Sequence, residues 1–324
     1  MRHKSLHLRW DMQVLRDLNQ LPDLAGSVIT IGTFDGVHSG HYEIIQKITA
    51  AARLIGGKSV IITFHPHPRH IITPESPVYY LTTLEEKIAK LSVCGVDVVV
   101  VVPFSREFSE ISAESYAEHF LIEKFKPAII VFGYDHKFGK DRSGDIHLLK
   151  SIAAKYDIRV EEIPAHVIDT VTVSSSKIRK YLKEGNIVEA NELLGYPYEI
   201  TGPVIKGDQI GRTLGFPTAN IYVEDSNKLI PSDGVYLVKV LIKNNPNNYY
   251  GLLNIGTRPT FNKTEKRIEV NILQFADTIY GETITVQFLQ FLRADKKFES
   301  STALITAMEG DKQKAEAIIS TLTD

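Results

Sequence analysis

The sequence predicts an α/β domain built on a doubly wound parallel sheet, followed by a smaller all-β domain. Three observations support this fold class. At 324 residues the chain exceeds the usual size of a single hydrophobic core. In the first half, near-continuous Val and Ile runs alternate with helical patterns, which is typical of a parallel sheet covered on both faces. After Pro197 the runs become short and alternating, with Gly, Pro, Asn and Asp between them, which is typical of an antiparallel barrel or sandwich.

The strands of the first half are predicted from its apolar runs, and the helices from apolar residues recurring at three- and four-residue spacing. The predicted strands cover residues 28–32, 59–64, 97–102, 128–132 and 158–163. The predicted helices cover residues 41–54, 84–93 and 145–155, with a further helix that opens at Ser112. Thr82 or Thr83 is the expected N-cap of the second helix, because acidic residues follow in its first turn.

The two halves are joined by residues 181–197, which the sequence predicts as two short helices broken at Gly185. We therefore expect a first domain over residues 1–185, a helical linker over 186–196 and a second domain over 197–324. The predicted strands of the second domain cover residues 198–204, 218–223, 235–242, 250–255, 268–275 and 284–291. A helix is predicted over residues 299–321.

Composition argues against several classes of function. A net charge of −2 gives no general attraction for nucleic acid or an anionic membrane, so neither is expected as a partner. The most apolar run, residues 96–102, is far too short to span a bilayer. The single cysteine excludes an intrachain disulfide and, with no signal peptide visible, favours a cytoplasmic location. The oligomeric state stays open.

The first chemical motif follows the first predicted strand and has the sequence Gly32-Thr-Phe-Asp-Gly-Val-His-Ser-Gly-His41. A strand, a glycine-rich turn and a helix N-terminus together form a common phosphate site, because the N–H groups there are unpaired and the helix dipole favours an anion. His38 and His41 add hydrogen-bond donors where a phosphate would bind. A zinc site is the weaker alternative, since zinc needs three or four ligands and Cys94 lies in an apolar stretch.

Three further loops are expected at the same edge of the sheet, because the carboxyl ends of parallel strands meet there. They are Phe64-His-Pro-His-Pro-Arg69, residues 132–142 and Ser174-Ser-Ser-Lys-Ile-Arg179. Each alone has a purely structural explanation, as a proline-shaped turn, a glycine-rich loop or a helix cap. Together they favour phosphoryl or nucleotidyl transfer, since the usual glycine motifs of hydrolases, dehydrogenases and P-loop enzymes are missing. Catalysis would then consist of positioning two substrates and stabilising charge.

The second motif has the sequence Gly202-Pro-Val-Ile-Lys-Gly-Asp-Gln-Ile-Gly-Arg-Thr-Leu-Gly-Phe-Pro-Thr-Ala-Asn220. Its glycines permit a loop that folds over phosphates, and Thr218 and Asn220 offer oxygen ligands that suit Mg²⁺ shared with ATP. From the pattern alone, a glycine-rich hairpin followed by a strand is an equally good explanation. Glu269 favours function, because it alternates with apolar neighbours along a strand and its carboxylate could accept a proton from a substrate hydroxyl.

These motifs resemble, in order and spacing over nearly the whole chain, the bacterial bifunctional riboflavin kinase/FAD synthetase family. The first half resembles its FMN adenylyltransferase domain, a nucleotidyltransferase of the His-x-Gly-His type. The second half resembles its riboflavin kinase domain, a six-stranded antiparallel β-barrel with a C-terminal helix. The kinase resemblance includes Asn254-Ile-Gly-Thr-Arg-Pro-Thr-Phe261, Glu269-Val-Asn-Ile-Leu and Phe291-Leu-Arg293. The chain departs from the usual family pattern at His136, Asn271 and Asp295.

The resemblance implies roles for residues of the first motif and of the loops expected beside it. His38, His41 and Arg179 would be catalytic, and Arg179 would stabilise the leaving pyrophosphate. ATP would be bound by Gly32, Phe34, Asp35, Gly36, His38, Gly40, His41, Ser175, Ser176 and Arg179. FMN would be bound by His65, Pro66, His67, Pro68 and Asp135.

In the second half, the resemblance implies that Glu269 activates the ribityl hydroxyl and that Arg293 lies near the flavin. ATP would be bound by Gly207, Gly211, Arg212, Gly215, Pro217, Thr218 and Asn220. Thr218 and Asn220 would also hold Mg²⁺. The implied substrates are ATP, riboflavin and FMN, and the products are ADP, pyrophosphate and FAD. Mg²⁺ would accompany ATP at both sites, with no structural metal.

Two alternatives to this bifunctional enzyme stay open. One is a different nucleotidyltransferase whose β-domain serves recognition only. The other is a non-catalytic flavin-binding regulator.

Overall fold

The computed structural model describes residues 12–133, 136–163, 173–207, 211, 215–259 and 264–322. The side chains at positions 258, 259, 264 and 265 are not among the described parts. The chain divides into two compact units between Ser175 and Ser176. Among the described residues, no helix is long and apolar enough to cross a membrane.

The first unit contains a six-stranded parallel sheet in the order β1-β4-β3-β2-β5-β6. The strands are β1 (Gln13–Leu15), β2 (Val28–Ile31), β3 (Ser59–His65), β4 (Val98–Pro103), β5 (Ile129–Gly133) and β6 (Arg159–Ile163). The chain runs outward from β2 through β3 to β4, and then returns to the other side of β2 for β5 and β6. The switch in strand order therefore lies beside the carboxyl end of β2.

Both faces of this sheet are covered, as the near-continuous apolar strands predict. Along β4, Val98, Val100 and Val102 belong to one buried core layer, and Val99 and Val101 belong to the other. The first layer is covered by α5 (Ala113–Ser115) with its π-helical continuation Tyr116–Glu123, and by α6 (Ile146–Ala153). The second is covered by α1 (Ser39–Ile55) and α3 (Leu84–Ser92). The doubly wound α/β prediction is confirmed.

The helix ends follow from local sequence. Thr83, rather than Thr82, caps α3, in a reciprocal pair with the side chain of Glu86. α1 begins two residues earlier than predicted and ends at Gly56, whose φ of 68° is in the left-handed region. Three elements escape prediction because they have five residues or fewer, too short for a periodic pattern; they are β1, α2 (Pro68–Ile72) and α4 (Arg106–Ser109).

The second unit contains a closed antiparallel barrel in the order β10-β11-β8-β7-β12-β9. The strands are β7 (Glu199–Ile205), β8 (Ala219–Ile221), β9 (Gly234–Ile242), β10 (Asn248–Pro259), β11 (Thr264–Ile272) and β12 (Thr283–Arg293). Two helices precede it, α7 (Ser175–Glu184) and α8 (Ile187–Leu194), and α9 (Ser301–Leu322) follows it. Inward-facing Leu253 and Val270 are cross-strand partners and fully buried, whereas Leu252, on the opposite face, packs against Ala315 of α9. The predicted barrel with a C-terminal helix is confirmed.

Candidate active sites

The first motif occupies the switch point of the parallel sheet. Gly32 follows β2 directly, and its N–H donates to the Ile62 carbonyl of β3 at 3.0 Å. The loops after β3 and β5 start at the same edge of the sheet, because both strands are parallel neighbours of β2. The edge at which the sequence predicts a ligand site is therefore formed around Gly32.

The turn between Gly32 and His38 has an unusual backbone. Phe34, Gly36 and Val37 have φ values of 47°, 86° and 38°, in the left-handed region that β-branched residues rarely adopt. Such strain persists only where the surroundings impose it, and it is frequent at functional sites. Here the Asp35 carboxylate, which is buried, accepts the N–H groups of Leu81 at 2.9 Å and of Thr82 at 3.1 Å. Asp35 thus links the turn to the segment of Leu81 and Thr82 through hydrogen bonds.

His38 and His41 are brought together at the start of α1. Their rings stack with centroids 3.7 Å apart and planes 16° from parallel, and the His41 ring also lies 4.9 Å from the Phe34 ring. Burial, His38 and the nearby ammonium of Lys87 together hold the pKa of His41 well below its ordinary value of 6.5. Nδ1 of His41 is buried without a hydrogen-bond partner among the described residues. A neutral imidazole is thus placed at a helix N-terminus, where an anion would favour its protonation.

Lys87 is a site residue that the sequence reasoning missed. It is buried, and its Nζ donates to the Thr33 carbonyl at 2.9 Å and contacts Thr63 Oγ1 at 3.3 Å. Burial lowers the pKa of Lys87 to about 8, against the opposing effect of the Asp35 carboxylate. The signal was present in the sequence, because Lys87 stands four residues before Leu91 on the apolar face of a predicted helix.

The loop after β3 brings its histidines together with a tyrosine. His67 caps α2, its Nδ1 accepting the Arg69 N–H at 3.1 Å. The Tyr80 ring stacks on the His70 ring at 4.9 Å and lies 6.5 Å from the His65 ring. Pro66 and Pro68 flank His67, and the His65–Pro66 peptide bond is cis. His67 therefore has a structural role, and its contact with flavin stays a prediction.

The other predicted residues of the first site are distributed over several elements. Ser175 donates its hydroxyl to the Asp35 carbonyl at 3.0 Å, which ties the start of α7 to the strained turn. Ser176 and Arg179 follow on α7 and belong to the second unit. Gly40 lies in the first turn of α1 and is buried. Asp135 lies outside the described residues.

The second site contains a row of polar side chains across three strands. Glu269 of β11 pairs directly with Asn220 of β8 on one side and with Asn254 of β10 on the other. Directly opposite residues point to the same face, with Cβ atoms about 4.5–5.5 Å apart. The neighbouring Ile268 and Val270 are buried inside the barrel, so this row lies on the outer face. The contribution of Asn254 was missed, because it depends on the strand register.

Two glycines of the second motif hold the backbone against Thr218 and Asn220. A Cβ atom on Gly207 would lie 2.3 Å from Asn220 Nδ2, and one on Gly211 would lie 2.3 Å from the Phe216 carbonyl and 3.4 Å from Thr218 Oγ1. At Gly207 and Gly211 the backbone therefore passes close to these segments, which only residues without a Cβ atom permit. Gly215 adopts a φ of 84°, and Arg212 lies outside the described residues.

Further contacts fix the segment that carries Thr218. The Asn271 amide donates to the Pro217 carbonyl at 2.7 Å. Pro217 and Thr218 also line a cavity of about 390 Å³, whose lining includes residues 275–280. A cavity of this size suits the base of a nucleotide.

Arg293 lies at the end of β12, where it binds the C-terminal helix. Its Nε donates to both carboxylate oxygens of Asp311 at 2.9 and 3.1 Å, and its Nη2 lies 2.8 Å from Asp311 Oδ2. Asp311 is only 3% exposed. Asp295 lies nearby on the outer face, since a Cβ atom on Gly256 would lie 3.4 Å from Asp295 Oδ2 and 3.3 Å from Asn254 Nδ2. The partner of Arg293 was missed because nothing in the pattern of α9 marks Asp311.

Within the described parts of the chain, no three His, Cys, Asp or Glu side chains are grouped so that they could hold a metal ion. The stacked arrangement of His38 and His41 also differs from the tetrahedral convergence that zinc prefers.

Comparison with known proteins identifies two family domains in the chain. The family model for FAD synthetase matches residues 20–177, and that for riboflavin kinase matches residues 194–319. Curated relatives named bifunctional riboflavin kinase/FMN adenylyltransferase include that of Listeria monocytogenes, 37% identical over 92% of this chain and 94% of the relative. Those of Haemophilus influenzae and Escherichia coli K12 are 35% and 34% identical over 94% and 93% of this chain, and 99% and 95% of the relatives.

A solved structure shares the whole fold. A crystal structure from Streptococcus pneumoniae, described as a macrolide-efflux protein, superposes with a TM-score of 0.85 and 32% identity over 94% of this chain and 99% of its own. The riboflavin kinase match over the barrel argues against a β-domain used for recognition only. With both family models matched and relatives aligned over nearly their full length, the chain belongs to the bifunctional riboflavin kinase/FMN adenylyltransferase family.

Proposed function

We propose that this chain makes the flavin cofactors in two ATP-dependent steps, each at its own site. The chain phosphorylates riboflavin to FMN, and it transfers an adenylyl group from ATP to FMN, giving FAD and pyrophosphate. We assign the second step to the first unit and the first step to the barrel. The observation that carries the kinase assignment is the row formed by Asn254, Glu269 and Asn220.

Adenylyl transfer takes place at the switch point of the parallel sheet. The N-terminus of α1 binds the ATP phosphates, with His38 and His41 donating hydrogen bonds to them. A phosphate oxygen of FMN attacks the α-phosphorus of ATP, and the bond to the pyrophosphate oxygen breaks. Arg179 stabilises the charge on the leaving pyrophosphate. The His65–Pro68 segment and Asp135 bind FMN. The chain forms no covalent bond, so its contribution is positioning and charge stabilisation.

Phosphorylation takes place on the outer face of the barrel. The Glu269 carboxylate accepts the proton of the ribityl hydroxyl as that oxygen attacks the γ-phosphorus of ATP, and ADP leaves. The glycine-rich loop 207–215, including Arg212, covers the phosphates. The cavity beside Thr218 accommodates the base of ATP. Arg293 borders the flavin and fixes α9 through Asp311.

Mg²⁺ accompanies ATP at both sites. In the barrel, Thr218 and Asn220 fit this ion, because two neutral oxygen ligands suit a cation that keeps waters and shares phosphate oxygens. The absence of a side chain at Gly207 and Gly211 lets the backbone approach these two side chains, because a Cβ atom on either glycine would lie 2.3 Å from a neighbouring atom. The ion, when bound, neutralises charge that develops on the transferred phosphoryl group.

We place the functional boundaries at residues 185 and 196, near the interval between the family match that ends at residue 177 and the one that begins at residue 194. We place the protein in the cytoplasm, because both reactions consume ATP and the single cysteine suits a reducing compartment.

The test is a crossover of two variants, assayed by chromatography of riboflavin, FMN and FAD with Mg²⁺ and ATP. His41→Ala should abolish FAD formation from FMN while leaving FMN formation largely intact. Glu269→Ala should abolish FMN formation while leaving FAD formation from added FMN intact. If either substitution abolished both activities in a folded protein, the two-site assignment would be wrong. A wild-type protein that binds flavin without consuming ATP would favour the regulator.

A further inference from the structure

Lys87 is a buried cation that the proposed mechanism does not use. It is 6% exposed and lies on the face of α3 that packs against the sheet. Lysine is rarely buried to this degree, because its ammonium loses hydration that other groups must replace. A position of this kind would ordinarily be occupied by an apolar side chain such as that of Leu91, one turn further along the same helix. The charge therefore calls for an explanation.

The contacts of Lys87 lead to the strained turn of the first site. Its Nζ donates to the Thr33 carbonyl at 2.9 Å, and the Thr63 hydroxyl donates to the same carbonyl at 3.0 Å. Thr33 immediately precedes Phe34, the first of the left-handed residues in the turn. Two donors from different elements thus fix the point at which the turn begins. An apolar side chain could fill the volume of Lys87 but could not supply the first of these hydrogen bonds.

The charged groups around Lys87 come from the turn and from α1. Asp35 favours the ammonium form of Lys87, whereas burial disfavours it, and the outcome is a pKa of about 8. The ammonium of Lys87 also lowers the pKa of His41, on which His38 is stacked. Nδ1 of His41 is buried without a partner among the described residues. At neutral pH the positive charge of Lys87, near a neutral imidazole, favours an anion at the N-terminus of α1.

We propose that Lys87 is a positioning residue for adenylyl transfer, fixing the Thr33 carbonyl and the turn that follows, and favouring the ATP triphosphate through its charge. This proposal rests on the assignment of ATP phosphates to His38 and His41. Lys87 acts from beneath the turn, through Thr33 and His41, and touches no reacting atom.

The test measures adenylyl transfer to FMN with full-length Lys87→Met, Lys87→Arg and, as a matched control on the same helix, Lys90→Met. Lys87→Met should raise the KM for ATP at least about tenfold at neutral pH and lower the melting temperature, since the buried Asp35 carboxylate loses a nearby positive charge. Lys87→Arg should recover part of the ATP affinity, and Lys90→Met should behave as wild type. An unchanged KM for ATP in Lys87→Met would overturn the proposal.

The pH profile separates the charge of Lys87 from a merely structural role. Between about pH 7 and about pH 9.5 the wild-type KM for ATP should rise as the ammonium loses its proton, and with Lys87→Arg it should stay flat. This comparison needs no methionine variant, so it decides the question even if Lys87→Met fails to fold. Identical profiles for wild type and Lys87→Arg would overturn the proposal.

His41→Ala in the same assay separates two kinds of failure. Full adenylyl transfer in His41→Ala would overturn the site assignment, and the role of Lys87 with it. If His41→Ala loses activity while the Lys87 variants keep normal ATP affinity and a normal pH profile, only the role of Lys87 would be overturned.

Discussion

Glu269 and Asn220 are direct cross-strand partners in the pairing of β11 with β8. The proposed proton acceptor and the proposed metal ligand therefore point to the same outer face of the barrel, with Cβ atoms about 4.5–5.5 Å apart. A carboxylate beside a proposed Mg²⁺ ligand would be placed to accept the proton of a hydroxyl that attacks a phosphate bound to that ion. The pairing fixes this geometry through backbone hydrogen bonds rather than through mobile side chains.

This relationship predicts that Asn220→Ala weakens the kinase through its metal requirement. Loss of one of two protein oxygen ligands should raise the Mg²⁺ concentration for half-maximal phosphorylation by about 10- to 100-fold, with partial recovery at high Mg²⁺. Adenylyl transfer should be unchanged. The measurement is a Mg²⁺ titration of FMN formation at fixed ATP. Asn248→Ala, an exposed asparagine at the start of β10, is the control, and an unchanged titration midpoint for Asn220→Ala would contradict the assignment.

Gly207→Ala should impair the kinase site although it replaces none of the side chains proposed to bind Mg²⁺ or accept the proton. The added methyl would lie 2.3 Å from Asn220 Nδ2, so the amide must leave its position. We expect the KM for ATP in the kinase reaction to rise about tenfold or more, with little change in melting temperature. In contrast, Gly310→Ala in α9 has no atom within 4 Å of its new Cβ and should stabilise the protein by about 0.5–1 kcal/mol. Normal kinase kinetics in Gly207→Ala would show that the loop does not hold Asn220.

The sequence predicts much of this arrangement, and the limits of that prediction are physical. Val/Ile runs and turn residues mark the strands of both units, and the spacing of His38 and His41 marks a helix terminus. The pairing of Glu269 with Asn254 depends on strand register, which is set by long-range hydrogen bonds and not by local pattern. The contact of Lys87 with Thr33 likewise joins segments far apart in the chain. The sequence shows which reactive side chains the chain contains, whereas strand register and packing decide which of those side chains come into contact.

Asp311→Ala should destabilise the barrel unit. Asp311 is 3% exposed, and its carboxylate accepts two hydrogen bonds from Arg293 Nε, so removing it leaves a guanidinium that is 20% exposed without its partner. Breaking a buried pair in this way costs about 3 kcal/mol, with a smaller effect here because of the residual exposure of Arg293. The measurement is denaturant unfolding followed by circular dichroism and by kinase activity.

The adjacent Lys312 provides the control for Asp311. Its ion pair with Glu316 is exposed, at 3.9 Å, so Lys312→Ala should change the free energy of unfolding by less than about 0.5 kcal/mol. Equal stabilities for the Asp311 and Lys312 variants would mean that the Arg293–Asp311 pair contributes nothing net.

His41 should make the first unit sensitive to acid. Its pKa in the folded protein is well below 6.5, so as the pH falls through about 6.5 the unfolded chain takes up a proton that the folded protein does not. The unfolded state then binds more protons, and stability is lost as the pH falls. His41→Asn should therefore flatten the decrease in melting temperature between about pH 7.5 and about pH 5.5.

His119 is the matched control, because its pKa is shifted in the opposite direction. Its exposed ring is hydrogen-bonded to Glu123, which raises its pKa. His119 contributes stability below about pH 6.5, so His119→Asn should leave the acid sensitivity intact or increase it. A parallel shift of both variants relative to wild type would mean that His41 is not held neutral by its surroundings.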